Sequence, residues 1–309
     1  MYNIVLPKNA SSDCYDSIIY SILKYYNYKY ELYNINYFYT DYYIIINNYF
    51  FFKKQNYTYK NILKEIFNID VSFINRSDDI DIFKVIEQNL INSPVGIFID
   101  PYYCYWSPFF NKAHHNHSLL IVAIEYSKKK YICFDLYYNE IGYVEVSFDL
   151  INHHYLKYFL FKFNEIKNID LKAMIEALIV NINKFDDNIE RKKEDVFSSI
   201  QDNLEVLFPD GIETSPIIIA LTNIAAERNY FLIFLEYIEK EINKQIFTSL
   251  YPVLSESSTK FLILKALLSK YAMTGYINSN FLKGSITQIF DIDLKIIELL
   301  KKNFEGLVL

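Results

Sequence analysis

Few residues in this chain can carry nucleophilic chemistry: it has three cysteines and five histidines. Cys14 follows Ser11, Ser12 and Asp13, residue types that favour helix N-caps, and Ile18, Ile19, Ile22 and Leu23 follow it at helical spacing. That pattern predicts Cys14 in the first turn of a helix. There the helix dipole and a neighbouring imidazolium lower a thiol's pKa and supply the thiolate nucleophile. Cys104 lies in a loop of aromatics and Cys133 inside an apolar strand, between Ile132 and Phe134. Both read as small buried hydrophobes.

The histidines fall into two clusters. His153 and His154 precede a short aromatic run and read as structural, whereas His114, His115 and His117 precede the apolar stretch 118–126. That stretch is apolar on both faces, the pattern of a central strand. A histidine at the head of a core strand is held rigidly and can face a cleft. His117 is the first choice as base and His114 the second. Asp135 ends the next strand, eighteen residues beyond His117. Two neighbouring antiparallel strands would bring both side chains to one end of the sheet, where a carboxylate orients an imidazole and fixes its tautomer. Cys14, His117 and Asp135, each at the end of an element, then form a Cys/His/Asp relay. An oxyanion hole would need the Cys14 backbone N–H and an upstream side chain, Asn9 or Lys8.

Other chemistries are less well provided for. His114 and His117 are spaced H-x-x-H with Cys104 and Cys133 flanking them, but a zinc site needs three or four convergent ligands and no second paired-ligand motif occurs. No metal is expected. The six glycines are isolated, so no glycine-rich loop is present to cradle a phosphate.

The elements that must position the relay can be read from periodicity. Residues 59–66 and 82–90 read as helices. Residues 94–99, 118–126, 131–135 and 142–148 read as strands joined by short turns, which implies an antiparallel sheet packed on the early helices. After Phe163 the pattern turns helical. Helical periods cover 171–185, a helix opening at Ser215–Pro216, 230–246, 258–271 and 291–304, with Gly306 placed as a C-cap. The fold class expected is α+β followed by an all-helical C-terminal domain, with domains at 1–167 and 168–309. The Tyr-rich run 25–59 reads as packed segment shaped by compositional bias.

Composition narrows the partners. A net charge of −6 with no basic stripe argues against nucleic acid and against an anionic membrane surface. The most apolar stretch, 216–238, is interrupted by Glu227 and Arg228, so no transmembrane helix is expected. With no signal-peptide pattern and an odd number of dispersed cysteines, a cytoplasmic location with reduced thiols is expected.

Two segments carry a family resemblance. SDCYDSIIYSIL, with its cysteine opening a helix, resembles the start of C39-like, papain-fold peptidases. SPVGIFIDPYYCYWSPFFNKAHHNHSLLIVAIEYSKKKYICFDLYY is similar to acyltransferases of the butirosin-biosynthesis (BtrH) type: a strand ending in Asp100, an aromatic loop with Tyr102 and Tyr103, histidines at His114 and His117, and a strand ending in Asp135. Closthioamide-type amide synthases, also cysteine-protease-like, are a second resemblance. It departs from the wider pattern at Lys8, where papain-like enzymes place glutamine, and at Tyr15, where C39 peptidases favour glycine.

The resemblance implies a papain-like catalytic domain with a helical region for acceptor or carrier binding, or for a homodimer contact. It implies that Cys14 takes an acyl group from a thioester on a phosphopantetheinyl acyl or peptidyl carrier protein and passes it to a small amine. Asp100, Tyr102, Tyr103 and His114 would line the substrate site. A thioester is already activated, so no cofactor and no ATP are expected. The rival readings are a cysteine peptidase or thioesterase with the same triad, and an inactive scaffold module.

Overall fold

The structure is a computed structural model that describes residues 2–5, 14–38, 40–46, 49–54, 59–135, 142–165, 171–183, 189–208, 211–212 and 215–305. The first elements along the chain are α1 (Cys14–Tyr25), a 3-10 segment (Tyr30–Phe38), a hairpin of β1 (Thr40–Ile46) and β2 (Tyr49–Lys54), and α2 (Tyr59–Glu65). Then follow β3 (Ile69–Asn75), α3 (Ile82–Asn89), β4 (Val95–Ile99), β5 (His117–Glu125), β6 (Lys130–Phe134), β7 (Tyr143–Ser147), α4 (Phe148–His154) and β8 (Tyr155–Phe163). The remainder is helical: α5 (Leu171–Asn183), α6 (Ile189–Asp202), α7 (Pro216–Ile242), α8 (Tyr251–Thr274) and α9 (Ser279–Glu305).

The fold is α+β, with a helical C-terminal region. Six strands form one antiparallel sheet in the order β3-β8-β4-β5-β6-β7. Four of them, β4 to β7, follow the strands expected from the sequence. β3 and β8 were not foreseen. Tyr155–Phe163, read as an aromatic run, is a strand between β3 and β4. The hairpin β1–β2 lies within the Tyr-rich run, where only a packed segment was expected. Residues 216–242, expected as two segments, form one helix. Gly306 lies outside the described residues; Gly275, at φ +67°, ends α8 in the left-handed conformation that suits glycine.

The chain divides into two compact units: Met1–Tyr30 with Tyr59–Asn168, and Glu31–Thr58 with Ile169–Leu309. The second boundary lies next to the one read from the sequence. The grouping of 31–58 with the C-terminal helices has no counterpart there.

In the sheet unit, one face of the sheet is covered by α3 and α4. Ile82, Ile86 and Ile151 pack there on Ile97, Ile99, Leu119, Ile121, Tyr131 and Cys133, all buried. α3 is capped by Asp81, which accepts from the Lys84 N–H, and α4 by Ser147, which accepts from the Leu150 N–H. Helix α1 packs on β5 and buries every residue from Tyr15 to Leu23. A helix buried all round belongs to the interior of its unit.

In the helical unit, α7, α8 and α9 pack around Leu221, Ile224, Phe261, Leu264, Ile286 and Phe290. α7 is long and apolar enough to cross a membrane by length and composition, yet half of its apolar window is buried inside the protein. Its Arg228 is fully buried. Arg228 Nη2 donates to Asp293 Oδ2 of α9 at 3.0 Å, and Ser257 Oγ of α8 donates to Asp293 Oδ1 at 2.9 Å. The charge that interrupts the apolar stretch is thus paired inside the unit, as a buried charge must be.

Candidate active site

Cys14 is the first residue of α1, and its side chain is partly exposed. The residues proposed to cap it, Ser11, Ser12 and Asp13, lie outside the described residues, as do Asn9 and Lys8. The next residue fixes the helix start on the sheet. Tyr15 stacks on Phe98 (centroids 5.9 Å apart, planes at 19°) and meets the edge of Phe159 at 5.4 Å. Phe159 occupies its place because residue 96 is glycine: a Cβ there would lie 2.0 Å from the Phe159 ring. Gly96, Phe159 and Tyr15 thus form a chain of contacts ending at the residue beside the thiol. This gives Tyr15, which stands where C39 peptidases favour glycine, a packing reason.

The described residues ahead of α1 are pinned as well. The Tyr2 N–H donates to the Val122 carbonyl at 3.2 Å. The Ile4 N–H donates to the Tyr143 hydroxyl at 2.6 Å, and that hydroxyl donates to the Ile4 carbonyl at 2.7 Å.

His117 opens β5 and Asp135 follows β6. Leu120 pairs with Phe134 across the two strands, so the antiparallel register carries both residues to the same end of the sheet. The Asp135 N–H donates to the Gly142 carbonyl at 2.7 Å, which fixes the backbone of the residue that bears the carboxylate. Gly142 sits at φ +74°, and a Cβ on it would press on the Phe134 ring at 2.7 Å. Asp135 Oδ2 stands 2.9 Å from His117 Nε2, and both side chains are essentially excluded from solvent.

A third group joins them. Trp106 Nε1–H donates to the same Asp135 Oδ2 at 2.7 Å. This contact was missed in the sequence; the only signal was that the chain's one tryptophan falls in the loop between the strands that end near Asp100 and begin at His117. The tryptophan N–H is a donor that must find an acceptor when buried, and here it completes the shell of a buried carboxylate.

The Cys14 side chain also lies near enough to His117 to favour its charged form. Burial alone would disfavour the charged ring. The hydrogen bond and negative charge of Asp135, with the contribution of Cys14, outweigh it and raise the imidazole to about 9. With Nε2 engaged by Asp135, Nδ1 is the nitrogen that remains for the thiol. The structure therefore brings together Cys14, His117 and Asp135. A thiol, an imidazole and a carboxyl arranged in that order can pass the thiol proton to the ring and leave a thiolate beside an imidazolium.

The other two cysteines have no such setting. Cys104 and Cys133 are buried, and burial first, then the charge of Asp135, pushes both thiols up. Both behave as small hydrophobes, with Cys133 in the core of the sheet.

Asp100, Tyr102, Tyr103 and His114 also gather at this end of the sheet. Asp100 follows β4, and Ile99 before it pairs with His117. Asp100 Oδ2 lies 2.6 Å from His114 Nδ1, and the Tyr102 ring stacks on His114. His154, read as structural from the sequence, stacks on Tyr103 at 3.6 Å. Among the described residues no group of three or more His, Cys, Asp or Glu side chains converges as metal ligands would. Compared with protein-family models and with curated proteins, the sequence matches none.

Proposed function

We propose that this chain is a papain-like, cysteine-dependent acyltransferase that forms amide bonds. The observation that carries the reading is the Cys14–His117–Asp135 constellation: a helix-start thiol beside a buried imidazole, which a buried carboxylate orients. The α+β arrangement of a cysteine-bearing helix on an antiparallel sheet that supplies His and Asp supports it.

In this mechanism Cys14 first passes its thiol proton to His117, so that a thiolate faces an imidazolium. Cys14 Sγ attacks the carbonyl carbon of an acyl thioester, and the carbon–sulfur bond to the donor breaks. The departing thiolate takes the proton held on His117. An amine then attacks the Cys14 acyl group. The nitrogen gives its proton to the now neutral His117, and Cys14 leaves as thiolate. Asp135 keeps the ring in one tautomer throughout, and Trp106 keeps Asp135 in place. The donor proposed is a phosphopantetheinyl carrier protein, and no cofactor enters.

Product analysis tests this reading. With an acyl-pantetheine thioester and excess primary amine, the full-length protein should give mainly amide. Mainly free acid, even with abundant amine, would assign it as a thioesterase or peptidase built on the same three residues.

A further inference from the structure

A second imidazole–carboxylate pair stands beside the first. Asp100 Oδ1 accepts the N–H of Tyr102 at 3.0 Å and of His115 at 3.4 Å, while Oδ2 is given to His114 Nδ1 at 2.6 Å. Burial opposes ionisation of Asp100. The His114 hydrogen bond and the two backbone donors outweigh it and hold the carboxyl below its usual range. Oδ1 alone would serve to cap the Pro101–Tyr103 turn; the second oxygen goes to His114. The two pairs are neighbours, since Ile99, which precedes Asp100, pairs with His117 across β4 and β5.

They differ in access. The His117 side chain is 1% exposed and that of His114 66%. Fixing an exposed ring costs rotamer freedom. Here it is fixed twice, by Asp100 and by Tyr102, whose ring lies parallel to it with centroids 4.3 Å apart and planes at 18°. Tyr103 meets Tyr102 edge-on at 5.1 Å and is itself stacked on His154. With Nδ1 committed to Asp100, Nε2 of His114 is the nitrogen open to an incoming group.

An alkylamine has an ammonium pKa of about 10, so at neutral pH it must shed one proton before it can attack and a second one afterwards. His117 can accept only one of these. We propose that Asp100, His114, Tyr102 and Tyr103 form the subsite for a primary ammonium acceptor, in which His114 Nε2 takes the first proton. This rests on the acyltransferase reading. The ring electrons of the tyrosines, of which Tyr103 is exposed, attract the cation. R–NH3+ gives one proton to His114, and the freed lone pair attacks the acyl carbon on Cys14. The second proton passes from the new amide nitrogen to His117 as the carbon–sulfur bond breaks. His114 then releases its proton to water.

The test uses the acylated full-length protein and two amines at pH 7, butylamine, which is protonated, and methoxyamine, which is already neutral. In His114→Ala the ratio of butylamine to methoxyamine aminolysis should fall by about ten-fold or more, and the loss should shrink as pH rises. An unchanged ratio would overturn the proposal. The exposed position of His114 makes a folding failure of this variant unexpected. A measurement that needs no thioester separates the two readings. Titration with butylammonium should shift the ring NMR signals of His114, Tyr102 and Tyr103 in the wild type. No shift there would overturn the subsite, whereas a shift in a protein whose Cys14 separately fails to gain an adduct from an acyl-pantetheine thioester would instead remove the acyltransferase reading.

Discussion

Nε2 of His117 and Oδ2 of Asp135 are 2.9 Å apart in a part of the protein that solvent does not reach. Burial would keep the ring neutral, and the carboxylate overrides it, so that the imidazole is raised to about 9. Asp135→Asn removes that charge and leaves burial opposed by Cys14 alone. His117 should then titrate well below 9, read by the pH dependence of its ring NMR signals. A titration that stays near 9 would mean that another group orients the ring.

The same shift has a consequence for stability. His117 binds its proton more tightly folded than unfolded, so its contribution is fully present below about 6.5, the unfolded value, and is lost as pH rises through about 9. Chemical denaturation of wild type and Asp135→Asn across pH 6 to 10 should show a wild-type stability that falls over this window, with a much flatter profile in the variant. Parallel profiles would contradict the assignment.

Trp106→Phe keeps the ring and deletes the N–H that donates to Asp135 at 2.7 Å. A buried carboxyl that loses one donor should cost about 1–3 kcal/mol, measured by denaturant unfolding. The rate of acyl transfer should fall with it, because Asp135 gains freedom to turn away from His117. Loss of stability with full activity would make Trp106 a packing residue only.

Gly96→Ala puts a methyl group where the Phe159 ring lies, 2.0 Å from its nearest atom. The ring is hemmed in by Tyr15, Phe73 and Phe98 and has little room to give. Overpacking of this kind costs about 1–3 kcal/mol. Because Phe159 holds Tyr15, the start of α1 should shift and the reactivity of Cys14 toward iodoacetamide should drop. Unchanged reactivity would uncouple the thiol from this chain of contacts.

In the helical unit Arg228→Met leaves Asp293 buried without its cation, at a cost of about 3–5 kcal/mol. The double variant Arg228→Met, Asp293→Leu should recover most of the loss, since both charges are then gone. No recovery would show that the pair specifies the packing of α7 on α9.

Much of this was legible in the sequence, and the gaps have physical causes. The helix beginning at Cys14 and the strands β4 to β7 were marked by clean periodicity and by turns. β8 was not, because Tyr155–Phe163 lies between two other strands and carries aromatic residues on both faces, which erases the polar–apolar alternation that signals a strand. His117 and Asp135 could be paired because neighbouring antiparallel strands fix register. Trp106 could not, since its partner is set by how the β4–β5 connection folds back, and no local pattern encodes that. His154 was set aside as structural because its contact with Tyr103 spans fifty-one residues of sequence.

Intact-mass spectrometry of the full-length protein with an acyl-pantetheine thioester asks the central question most directly. The expected result is a mass increase of one acyl group, located on Cys14 by peptide mapping, with no increase in Cys14→Ala. An adduct that persists in Cys14→Ala, or a wild-type protein that gains none, would contradict the assignment of Cys14 as the nucleophile.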